Sequence, residues 1–182
     1  MLQQTIAIVG SISGLFVLYF VGRFVIAFVL PETEEKIELY FILKDIKRYF
    51  GFLFEKGYKI REAHYSTNPN GSWYVSLESQ NCIISIVQDR GEISISFSSL
   101  FGSINLEDKF GLGSIIYFLS QGQKRIGNFQ GNLAWGKKKQ FERLAAFLKT
   151  YIDQITPLFG NRYHEYLNEL RDAEKQYVEK TL

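Results

Sequence analysis

The chain has 182 residues, of which 46% are hydrophobic and 22% charged, with a formal net charge of +2. That length suits one domain with an appendage, and the apolar share excludes a disordered, highly charged chain. The single cysteine, Cys82, excludes an intramolecular disulfide and suits a reducing compartment.

The first element in chain order is an apolar run. Ile6 to Leu30 is 25 residues whose only charge is Arg23, and as a helix it would measure about 38 Å, enough to cross a bilayer with some tilt. MLQQT lacks a basic leader region and FVIAFVLPE offers no small-x-small cleavage site, so residues 1–31 are expected to form a permanent transmembrane anchor. Arg23 then falls about 25 Å along the span, where its side chain snorkels to the second interface. Arg23, Lys36, Lys44, Lys47 and Arg48 all follow the apolar core, so the positive-inside rule puts a domain of residues 32–182 in the cytoplasm. Gly10 and Gly14 form a GxxxG match, a candidate helix–helix contact for a homo-oligomer through the span.

The period then becomes that of an amphipathic helix over Glu34 to Lys56, stopped by Gly57. YKIREAHY (58–65), SWYVSLES (72–79), CIISIVQ (82–88) and EISISFSSL (92–100) alternate as strands, with NPNG, SQN and DRG as turns between them. An antiparallel meander is the simplest pairing. A short apolar helix near Ser114 to Leu119 follows, then a glycine-rich connection. Helices are expected over Lys138 to Ile155 and over Arg162 to Lys180, the first ended by Pro157 and Gly160. The fold class is α+β: an N-terminal transmembrane helix, a helix, an antiparallel sheet of three or four strands, and C-terminal helices.

Residues able to do chemistry are sparse. His64 and His164 are the only histidines, and neither has a second ligand at metal spacing or an HExxH context. No nucleophile elbow, Walker or dinucleotide fingerprint occurs. No catalytic residue, cofactor or metal site is therefore assigned, and the enzyme reading ranks last.

Charge distribution is more informative. Residues 31 to 108 hold twelve acidic and eight basic side chains, whereas no acid lies between Asp108 and Glu142. In that second interval QGQKRIGNFQGNLAWGKKK sets Lys124, Arg125, Lys137, Lys138 and Lys139 beside Phe129 and Trp135. These seven residues are a candidate surface for an acidic protein partner or for anionic membrane lipids, and no nucleic-acid motif accompanies them.

FLFEKGYKI (52–60), WYVSLES (73–79) and CIISIVQDRGEISISF (82–97) resemble small uncharacterised bacterial α+β proteins, some grouped with immunity proteins of polymorphic toxin systems. The resemblance implies a non-catalytic cytoplasmic protein that occludes a toxin, and it carries over no functional residue. A membrane span and a basic glycine-rich segment depart from that pattern. The expectation is a single-pass, membrane-anchored, non-catalytic binding domain, with an accessory structural subunit of a larger membrane complex as the alternative.

Overall fold

The structure, a computed structural model, describes residues 31–67, 71–101, 109–124 and 134–179. The apolar run from Ile6 to Leu30, with Gly10, Gly14 and Arg23, lies outside them, as do Arg125 and Phe129. Among the described residues no helix is long and apolar enough to cross a membrane.

Helix α1 runs Pro31–Tyr49 and a single turn, α2, runs Gly51–Glu55. The sequence period predicts one continuous helix here. The break falls at Phe50, which is fully buried and carries φ −111° and ψ 22°, outside the helical well. Gly57 ends α2 with φ +87°, a conformation open to glycine. The amides of Gly57 and Tyr58 then donate to the carbonyls of Phe54 and Leu53, both at 3.0 Å, and so satisfy two orphan acceptors.

Four strands follow: β1 Lys59–Tyr65, β2 Trp73–Glu78, β3 Cys82–Asp89 and β4 Glu92–Ser99. A fifth, β5, is only Phe110–Gly111. The sheet is antiparallel throughout, in the order β1-β2-β3-β4-β5. The expected count of three or four is corrected to five, because two residues, one of them glycine, are too short to show alternation.

Register lays the apolar residues in rows across the strands. Leu77, Ile84, Phe97 and Phe110 stand side by side, and so do Val75, Ile86 and Ile95. All seven are 3% exposed or less. At about 1.5–3 kcal/mol for each large side chain buried, these rows are the main favourable term of the sheet. The opposite face carries the row Ser76, Ser85 and Ser96, of which Ser76 and Ser85 are also buried, so the alternation read from the sequence divides an apolar core face from a small polar one.

The remaining helices are α3 Leu112–Leu119, α4 Lys137–Ile155 and α5 Tyr163–Glu179, with a 3-10 turn at Thr156–Phe159. Phe141, Leu144, Leu148, Ile152 and Ile155 of α4 join Ile46 and Phe50 and the inward rows of the sheet in one core. Tyr163, Leu170 and Ala173 of α5 are buried, and α5 packs on α3, so its apolar stripe is used within the domain.

Candidate functional site

The predicted basic surface centres on the start of α4, where Lys137, Lys138 and Lys139 fill the first turn with no acidic residue and no side-chain cap. Three cations there oppose the helix dipole, so each needs another partner. Lys137 Nζ lies 3.0 Å from Asp45 Oδ2 on α1 and within 6 Å of the Trp73 and Phe141 ring centroids. It therefore ties the start of α4 to α1. Lys138 Nζ reaches Glu142 Oε1 at 3.7 Å, one turn along the same helix.

Lys139 turns the other way. Its ammonium stands 5.0 Å from the Trp135 ring centroid, and the Arg143 guanidinium stands 4.5 Å from the same ring. Arg143 is also 5.7 Å from the Phe147 centroid. Farther along, Lys124 Nζ donates to Tyr151 Oη at 2.7 Å. Residues 139, 143, 147 and 151 are four apart, so they form one stripe along α4, two cations and then two rings, with Trp135 laid against the cations and Lys124 against the last ring.

Of the seven residues predicted, the structure brings Lys124, Trp135 and Lys139 onto this stripe and turns Lys137 and Lys138 away from it. Arg125 and Phe129 fall outside the described residues. Arg143, Phe147 and Tyr151 were not anticipated. The signal for them is their four-residue spacing from Lys139, which places them outside the uninterrupted run of basic residues.

A cleft of about 550 Å³ opens at the end of the sheet, lined by Lys56, Tyr58, Ser79, Asn81, Asp153 and Thr156 among others. Lys56 Nζ and Asp153 Oδ1 are paired across it at 2.6 Å. At its base Tyr58 Oη lies 3.0 Å from Cys82 Sγ and 2.9 Å from Thr156 Oγ1. Burial, reinforced by the neighbouring thiol, pushes the Tyr58 phenol well above its ordinary range, and burial pushes the Cys82 thiol up as well. Both groups stay protonated at neutral pH, so Cys82 is a buried hydrogen-bonded thiol rather than an activated nucleophile.

The histidines stand elsewhere. His64 Nδ1 is 3.6 Å from Glu35 Oε1 on the exposed surface of β1, and His164 is exposed on α5. Neither lines the cleft. Among the described residues no three His, Cys, Asp or Glu side chains are grouped to hold a metal ion. Comparison of the chain with protein-family models, curated proteins and solved structures gave no match.

Proposed function

We propose that the chain is a single-pass membrane protein whose α+β body is a non-catalytic binding domain on the cytoplasmic side, engaging an acidic protein partner through its basic side chains. The observation that supports the anchor is the 25-residue apolar run with one charge, which ends immediately before the first residue of α1. Binding rather than catalysis is supported by the character of the polar groups. Where cations gather they are paired with carboxylates or laid on rings, and Lys138 and Lys139 keep exposed positions from which to meet an acidic surface.

The test uses the full chain expressed in cells. It is expected to stay in the membrane pellet through an alkaline wash, and the pair Val17→Lys and Leu18→Lys is expected to release it. Release of the unaltered chain would refute the anchor. In intact membranes, photocrosslinking from position 135 is expected to give a discrete product that Lys138→Glu with Lys139→Glu abolishes, and a product indifferent to those charges would refute the basic surface.

A further inference from the structure

Helix α1 sorts its side chains by charge. From Glu34 onward its four acids, Glu34, Glu35, Glu38 and Asp45, are all half-buried. Glu35 faces His64, and Asp45 pairs with Lys137. Over the same residues the exposed positions include no acid. Ile37, Tyr40 and Phe41 are 40%, 63% and 52% exposed. Around them stand exposed Lys36, Lys44, Lys47 and Arg48.

At 100° per residue these seven share one side of the helix, opposite the buried Ile42 and Ile46. An ordinary solvated face mixes both signs of charge and leaves large apolar groups scattered singly. Here three neighbouring apolar side chains, two of them rings in edge contact at 5.5 Å, are interspersed with the four exposed cations, and the half-buried Glu34, Glu38 and Asp45 lie along the flank beyond Phe41. That is the pattern of a helix lying in a membrane interface, with apolar groups among the acyl boundary and cations at anionic headgroups.

Position in the chain selects the occupant. Lys36 comes six residues after Leu30, the last residue of the apolar run, so the patch begins within about 10 Å of the membrane exit at helical rise. Proline disfavours the α conformation in the residue before it, and Pro31 opens α1, which permits a change of direction between span and helix. We infer that the outward face of α1, centred on Ile37, Tyr40 and Phe41, lies on the anionic surface of the bilayer next to the span. This inference rests on the anchored reading of residues 6–30. It assigns the lipid contact to α1 and leaves the start of α4 to a protein partner.

The experiment reconstitutes the full chain in vesicles of phosphatidylcholine with about one-third phosphatidylglycerol and in phosphatidylcholine alone. A polarity-sensitive fluorophore is attached at Tyr40→Cys or, as a control, at the exposed Lys149→Cys; the native thiol is fully buried and stays unlabelled. At position 40 in anionic vesicles the emission is expected to shift to the blue, lose its quenching by aqueous iodide and gain quenching by brominated lipid. The label at 149 is expected to show none of these. Lys44→Glu with Lys47→Glu and Arg48→Glu is expected to return iodide quenching at position 40.

An alkaline wash of the same vesicles separates the two readings. Resistance to the wash with a label at 40 open to iodide overturns the α1 contact and leaves the anchor intact. Extraction with a label at 40 that is shielded only in anionic vesicles overturns the anchor and upholds the α1 contact. Extraction with an open label overturns both. Shielding from iodide without quenching by brominated lipid marks protein as the occupant and overturns the inference.

Discussion

Gln140 shows how much one buried polar side chain can hold. It is 2% exposed, accepts from the Ile93 amide at 3.0 Å, and donates to the carbonyls of Gly91 at 3.0 Å and Trp135 at 2.9 Å. Through it the first turn of α4 is fixed to the β3–β4 turn and to the chain entering the helix. Gln140→Ala leaves those backbone groups unsatisfied, so a loss of about 2–3 kcal/mol is expected in denaturant unfolding. Glu174 on α5 carries a different cost: burial raises its carboxyl above the ordinary 4.5, against a lowering hydrogen bond from the Gly111 backbone. A raised folded value favours the protonated form, so this group reduces stability as pH rises through 4.5 and beyond. Glu174→Gln keeps an acceptor for Gly111 without the charge. It is expected to raise the melting temperature at pH 7, with the gain fading below about pH 4.5, and an equal gain at both pH values would show that charge is not the cause.

At the scale of elements, the parts legible from the sequence were those encoded by neighbours. Strands β1 to β4 follow from alternation, Gly57 marks the end of α2 and Gly91 the β3–β4 turn, and the stripe of α4 follows from helical spacing. The β3–β4 hairpin turns on Arg90 and Gly91, with φ +49° and +84°, between the paired Asp89 and Glu92. That is the two-residue turn whose twist matches the strands. Gly91→Ala puts a Cβ into the left-handed region and is expected to cost about 1–2 kcal/mol, again read from denaturant unfolding. What the sequence concealed depends on distant partners. Lys137 reads as one of three equivalent lysines until the fold brings Asp45 to it, and Phe50 reads as mid-helix until the core claims its ring. Strand β5 exists only because β4 offers Ser96 and Phe97 as partners. Of the candidate site, the presence of cations and rings was legible, but their division between α1 and the α4 stripe was not, because charge counting carries no direction.

At the scale of the molecule, the near-neutral total of +2 hides a segregation that follows the direction of the surface rather than the order of the chain. Sequence counting makes residues 31 to 108 net acidic, yet the outward side of α1, within that same interval, is basic. From Glu34 onward the acids of this helix are half-buried, two of them paired with His64 and Lys137, so its exposed positions are left to cations and rings.

The sheet order has a further consequence in time. Every strand pairs with its neighbour in the sequence, so β1 to β4 can zip together by closing short loops alone, at small entropic cost. Docking of α4 comes across a much longer separation, 47 residues from Ile93 to Gln140. Rapid-mixing kinetics should then divide the two variants: Gly91→Ala is expected mainly to slow refolding, and Gln140→Ala mainly to speed unfolding. The reverse partition would place helix docking before the hairpin. In the expected order, the sheet is assembled while α4 and α5 are still to be synthesised, and until they arrive only the segment around Ile46 and Phe50 is at hand to cover its inward rows.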